Sequence, residues 1–215
     1  MANTDPSQIC RSGYSVAKRE IGIHVQYVVH PLQYKQITMP ITRKTPLQTL
    51  GVPVDKMICF HNPEEPFGFL SNWYISNFEI DGVCYSSLEQ YMMHMKALLF
   101  GDTDTAARIL ETDDPGEIKA LGRQVALFDS IVWAGRSQII VYRGLLAKFS
   151  QDEQLARMLD ETGNAMLVEC AYRDRTWACG RTMDDPARLN LDMWKGKNLL
   201  GFALMEVRDQ LRKHA

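Results

Sequence analysis

Glu89 and Lys96 lie seven residues apart inside SSLEQYMMHMKALLF, the stretch from Ser86 to Phe100. At about 3.6 residues per turn, positions 89, 92, 93, 96 and 100 share one helix face. That face reads Glu, Met, Met, Lys, Phe. The other side, Leu88, Tyr91, Met95 and Leu98, is apolar too, and a helix apolar nearly all round is a buried one. An acid and an amine in such a place are costly unless they are paired, or used in proton transfer or nucleophilic attack. Two structural readings stand beside the chemical one. Ser86 followed by Glu89 has the spacing of a capping box, and Lys96 can carry its ammonium to water along its stem.

Three further segments gather residues of chemical interest. FGFLSNWY brings Ser71, Asn72 and Trp73 after a glycine-containing turn. LGRQVALFDSIVWAGR carries Arg123, Asp129, Trp133 and Arg136, with Trp133 and Arg136 on one helix face. YRDRTWACG and the later WKGKNLLG offer Asp174, Trp177, Lys197 and Asn198. A Lys-Asn pair at the mouth of a helix suits a phosphate or a ribose hydroxyl, although Asn198 is equally a good N-cap. Each tryptophan, taken singly, is more often core than ligand platform.

The elements that must position these residues are legible in outline. MICF reads as a short strand and HNPEEPFG as a loop. NWYISNFEI alternates toward FEI-DG-VCY, where Asp81-Gly82 is a two-residue hairpin turn. The helix from Ser86 follows, then TDTAARILET, then a helix capped by Asp114 with Pro115 at its first position. Asp129 caps the longest helical pattern, SIVWAGRSQIIVYRGLLAKF. DEQLARMLDE is helical, MLVECAY is a strand candidate, and LLGFALMEVRDQLRKHA is a closing amphipathic helix. The expected fold is α+β, mainly α: a single multihelical domain over residues 51–215 with a small antiparallel hairpin or sheet. Residues 1–50 form an N-terminal extension, with one strand candidate in IHVQYVV and prolines at 31, 40 and 46.

Composition narrows the class. The chain has 215 residues, 46% hydrophobic and 23% charged, enough for one substantial core. Its first residues lack the charged and apolar regions of a secretory leader, and no apolar run reaches the length of a membrane span. Five scattered cysteines form no CxxC pair, and five histidines form no ligand cluster. The expectation is reduced thiols in a cytoplasmic protein with no structural zinc, no other metal and no cofactor. Net charge is −2, which argues against a chain-wide nucleic-acid footprint. Six basic residues in positions 1–50 face only Asp5 and Glu20, so a basic arm sits on an acidic body. Such an arm can touch a polyanion or be simply solvated.

In order along the chain, SSLEQYxxxxKALLFGD, LGRxVxxFDxxxWxxxR, DxxW and WxGKNLLGxxLMxxR resemble the NADAR domain, named for NAD and ADP-ribose. The resemblance runs from about Ile58 to Leu211. It implies a mainly helical domain with a small hairpin, and enzymes that cleave an N-glycosidic bond at a ribose anomeric carbon. Some relatives hydrolyse phosphorylated ribosylaminopyrimidine intermediates of riboflavin synthesis. Others remove ADP-ribose from guanine in nucleic acid, some as antitoxins beside a DNA ADP-ribosyltransferase toxin, which is the partner the resemblance implies. The family's acids fall on Glu89 and Asp174, its aromatic site position on Trp133, its helix lysine on Lys96, and its Gly-Lys-Asn lysine on Lys197. Two departures bear on the base pocket: Ala178 follows Trp177 where glycine is frequent, and Met92, Met93 and Met95 stand where aromatic or Gln residues are common.

That chemistry accounts for these residue types. Leaving-group departure creates an oxocarbenium-like transition state, which a nearby carboxylate stabilises. Glu89 or Asp174 fits that role, and the other can activate water or orient a ribose hydroxyl. A neutral Lys96 offers another route, attack on the anomeric carbon with ring opening to a Schiff base. Asn72, Trp73 and Asn198 complete the candidate substrate-binding set. Trp133 or Trp177 would stack on the base, while Arg123, Arg136 and Lys197 suit phosphate oxygens. A hydrolase removing ADP-ribose from guanine in DNA or RNA is the favoured expectation, with a riboflavin-intermediate N-glycosidase as the alternative. A non-catalytic ADP-ribose or NAD-binding module, the third class, has no need of two carboxylates beside an anionic ligand. A purely structural or interaction role rests only on the structural reading of each residue.

Overall fold

The structure, a computed structural model, describes residues 57–213. The 1–50 extension and its strand candidate lie outside the described residues. The fold is α+β and mainly α, as expected. Strand β1 (Met57–Phe60) pairs in parallel with β4 (Met166–Glu169), and β2 (Phe78–Ile80) pairs antiparallel with β3 (Val83–Tyr85). Between and after them run α1 (Leu88–Leu99), α2 (Thr103–Leu110), α3 (Pro115–Arg123), α4 (Ser130–Gln151), α5 (Glu153–Glu161) and α6 (Leu199–Arg212).

Local chemistry explains the boundaries. Asp81 at φ 54° and Gly82 at φ 78° close the hairpin, the pair of left-handed residues that a type I′ turn requires. Asp102, Asp114, Asp129 and Asp152 accept backbone N–H bonds at the starts of α2, α3, α4 and α5, so most helices begin on an aspartate cap. The NWYISNFEI pattern yields a strand only over Phe78–Ile80. The closing helix ends at Arg212. The parallel pairing of MICF with MLVE joins segments more than one hundred residues apart, which local periodicity does not encode.

Helix α1 runs through the middle, packed on α2, α3 and α4, while α6 covers α4 and β4. Leu88, Tyr91, Ile109, Ile118, Leu145 and Phe149 form the sealed centre. At Gly144 a Cβ would lie 2.5 Å from the Leu88 side chain and 2.6 Å from the Tyr91 ring, so glycine sets how closely α4 crosses α1. The two ends of α1 therefore have fixed positions, and its Glu89–Lys96 face turns toward α3 and the loop after β4.

Candidate active site

The start of α1 differs from the expected capping box. Ser87, not Ser86, is the N-cap, and its Oγ accepts the Gln90 N–H at 3.2 Å. Gln90 Oε1 in turn accepts the Ser86 N–H at 2.8 Å, and its amide donates to the Ile109 and Thr112 carbonyls at 3.2 and 2.8 Å. Gln90 thus satisfies the helix start and ties α1 to α2. The capping reading of Glu89 falls, because the neighbouring Gln performs that task.

Glu89 is instead 2% exposed, and its Oε1 is sealed without a hydrogen-bond partner. Its backbone N–H donates to the Asn72 carbonyl at 3.0 Å, and Trp73 lines the same cavity as its carboxyl. Burial pushes the Glu89 carboxyl up from 4.5 to about 7; Asp174 adds to the rise, while Lys119, Trp73 and Arg123 oppose it. An orphaned carboxylate oxygen in a sealed position is expensive unless a ligand or proton completes it.

A third acid joins it. Glu169 ends β4, and its Oε2 is enclosed without a partner although the residue keeps partial exposure. Burial first, then Asp174, pushes its carboxyl up to about 8. Sequence reasoning assigned Glu169 only to a strand; the available signal was an acid closing the apolar run MLV, where an unpaired charge is rare. Asp174 holds its loop through Oδ1, which accepts the Thr176 and Trp177 N–H groups, both at 2.8 Å. It acts on both glutamates as a negative charge.

Cations line the other side. Lys96 Nζ donates to the Gly122 carbonyl at 2.7 Å and sits 4.1 Å from the Phe128 ring centre. It is held by the end of α3 rather than ion-paired to Glu89. Burial lowers the Lys96 ammonium, with Glu89 opposing. Lys119, also missed by sequence reasoning, stands 5.3 Å over the Trp73 ring and is the strongest opposing charge on Glu89. Gly122 lets α1 and α3 approach: a Cβ there would lie 2.0 Å from Met93 Sδ.

One cavity of about 180 Å³ is lined by Glu89, Lys96, Asp174, Asn72, Trp73, Arg123 and Trp177 from the expected set, together with Glu169, Lys119, Gly122 and both Met92 and Met93. Pockets that enclose whole drug-sized ligands run to about 300–1,000 Å³. This one has the size of a sugar ring. Four expected residues stand outside it. Trp133 lies 5.9 Å from Lys96 Nζ, beside the pocket rather than in its wall. Arg136 and Lys197 are exposed and do not line it. Asn198 is corrected to a structural role. Its Oδ1 accepts the Glu169 N–H at 3.0 Å and its amide donates to the Leu167 carbonyl at 2.9 Å. Fully buried in a left-handed conformation (φ 52°), it pins β4 and gives no side-chain cap to α6. Among the described residues, no group of three His, Cys, Asp or Glu side chains could hold a metal ion. Nor is any helix among them long and apolar enough to cross a membrane.

Comparison with known proteins places the fold and the sequence in a family. Residues 59–212 match the model of the NADAR domain. N-glycosidase R617 of Acanthamoeba polyphaga mimivirus is 38% identical over 73% of this chain and 96% of its own. N-glycosidase YbiA of Escherichia coli K12 is 29% identical over 73% of this chain and 89% of its own. Riboflavin biosynthesis protein VVA0006 of Vibrio vulnificus is 28% identical over 75% of this chain and 40% of that longer protein. The NMR structure of E. coli YbiA superposes with a TM-score of 0.62 at 28% identity, covering 74% of this chain and 87% of YbiA. By fold and by the match over most of its length, the chain belongs to the NADAR domain family.

Proposed function

We propose that this chain is an N-glycosidase, a hydrolase of the bond between a ribose anomeric carbon and a base nitrogen, and that it removes ADP-ribose from guanine in nucleic acid. The general reaction is the one two of its relatives are named for. The observation that carries the reading is the convergence of Glu89, Glu169 and Asp174 with Lys96 in one sugar-sized cavity.

The chemistry follows from how these acids are charged. Around neutral pH, Glu169 at about 8 holds its proton and Glu89 at about 7 exchanges one. The cluster shares its protons, so the apparent values belong to the group. In the forward step the C1′–N bond breaks and its electron pair leaves with the base nitrogen. A protonated glutamate delivers the proton that neutralises it. Asp174 faces the developing oxocarbenium charge in a water-poor pocket, where such an interaction is strongest. An ionised Glu89 then takes a proton from the water that adds to C1′. Lys96, whose ammonium burial lowers from its ordinary value, supports the second route through a Schiff base. Trp73 and Trp177 offer aromatic walls, and Lys119 and Arg123 offer cations for phosphate oxygens.

Two features favour a base within nucleic acid as leaving group. Residues 1–50 carry a surplus of positive charge, and Leu127, Phe128 and Ile131 are exposed next to the Lys96 end of the pocket. A DNA ADP-ribosyltransferase toxin is the matching partner, as the source of that substrate. The name of VVA0006 supports the second reading, hydrolysis of a phosphorylated ribosylaminopyrimidine. Incubation with an ADP-ribosyl-guanine oligonucleotide and, separately, with ribosylaminopyrimidine phosphate decides. Release of ADP-ribose from the first supports the proposal, turnover of the second alone replaces it, and tight binding without turnover of either makes the domain a binding module.

A further inference from the structure

Lys148 lies on α4, away from the cavity, and is 1% exposed. Its Nζ donates to the Phe69 carbonyl at 2.8 Å and the Ser71 carbonyl at 3.3 Å. It also faces the Tyr74 and Phe149 rings, 5.2 and 5.3 Å from their centres. A buried ammonium is expensive, and an apolar side chain of similar volume would pack at less cost. What Lys148 supplies is donors. The short 3-10 turn Gly68–Leu70 leaves the Phe69 carbonyl to Lys148, while the Ser71 carbonyl just after it also accepts the Tyr74 N–H at 3.3 Å.

That turn carries the wall of the site opposite α1. The Ser71 Oγ accepts the Trp73 N–H at 3.3 Å, the Asn72 carbonyl accepts the Glu89 N–H at 3.0 Å, and Asn72 and Trp73 line the cavity beside Glu89. The turn packs closely on its other side, where a Cβ at Gly68 would lie 2.0 Å from the Pro63 carbonyl oxygen. Hydrogen bonds from Lys148 and from the Glu89 N–H therefore hold the same short backbone segment, residues 69–73, at its two ends.

We infer that Lys148 is a positioning residue: its two bonds to the Phe69 and Ser71 carbonyls hold Asn72 and Trp73 where they orient Glu89 for glycoside cleavage. This rests on the hydrolase reading above. Burial lowers the Lys148 ammonium to about 7, with Asp152 opposing; a neutral amine still donates to both carbonyls, so the clamp survives deprotonation.

The test uses the full chain with K148M, K148Q and K148R, scored by circular dichroism, by kcat and KM, and by the carboxyl ¹³C titration of Glu89 assigned with E89Q. K148M fills the space without donors. It is expected to fold, to keep KM within about 3-fold and to lose kcat roughly 10- to 100-fold, the scale of a small misplacement. Its Glu89 titration moves to higher pH, because Trp73, which holds the carboxyl's pKa down, is displaced. K148R restores donors and recovers part of kcat. A folded K148M with wild-type kcat and an unmoved Glu89 titration overturns the inference. So does failure of both neutral variants to fold, which would make Lys148 scaffold only. If the wild type cleaves neither substrate, the hydrolase reading falls, and the ligand-free titration still decides for Lys148.

Discussion

Replacing Glu89 by Gln separates the two demands placed on this residue. The folded chain holds the Glu89 proton up to about 7, against 4.5 ordinarily. Between those values the folded state binds more protons than the unfolded one, so stability falls as pH rises through the window. At about 1.4 kcal/mol per pH unit the full effect reaches about 3.5 kcal/mol above pH 7. Glutamine keeps the shape and removes the titration, while its amide leaves a donor to satisfy. The net gain at pH 8 is therefore about 1–3 kcal/mol, or roughly 2–10 °C in Tm for a chain of this size. At pH 5 only about 0.7 kcal/mol of that effect is present, and the unsatisfied amide donor offsets it, so the variant melts level with or slightly below the wild type. Turnover of the variant drops by about 10²–10⁴, the range for a lost acid–base group. Differential scanning fluorimetry at pH 5, 6, 7 and 8 reads the first effect, and product release reads the second. Parallel Tm–pH curves for wild type and E89Q, or a fully active E89Q, would refute the reasoning.

Other substitutions probe the remaining walls. Lys96→Met leaves the melting temperature within a few degrees and lowers turnover by about 10²-fold or more; borohydride trapping of a wild-type adduct, absent in the variant, identifies the amine route, and a folded, fully active variant removes Lys96 from the mechanism. Gly122→Ala sets a Cβ against Met93 Sδ, costing about 1–3 kcal/mol by overpacking and raising KM more than it lowers kcat; melting and steady-state kinetics check both. Asn198→Ala removes bonds to both the Glu169 N–H and the Leu167 carbonyl and costs about 3 kcal/mol, seen as a Tm loss of roughly 10 °C; unchanged melting with a raised KM would return Asn198 to ligand binding.

How much the sequence discloses depends on the range of the interaction that decides each feature. Aspartate caps and the Asp81-Gly82 turn act over a few residues, so α2 to α5 and the hairpin are visible in their own segments. The Glu89–Lys96 face follows from helical spacing alone. Ser86 and Ser87 are less separable, since either has an acid or amide three residues on; the contacts of Gln90 with α2 decide between them. Glu169 and Lys119 join the site only through the parallel β1–β4 pair and the packing of α3 on α1. Asn198 shows the reverse. Its position before α6 suggests a cap, and only its reach across to β4, to Leu167 and Glu169, reveals the structural role.

The account centres on three carboxylates directing water to a ribose anomeric carbon. Single-turnover reaction of wild-type protein with the ADP-ribosyl-guanine oligonucleotide in ¹⁸O-water, read by mass spectrometry of both products, addresses that directly. The predicted result is one ¹⁸O in the released ADP-ribose and an unlabelled, intact guanine strand. Label in a phosphate of the products, or no cleavage of this or the ribosylaminopyrimidine substrate, would contradict it.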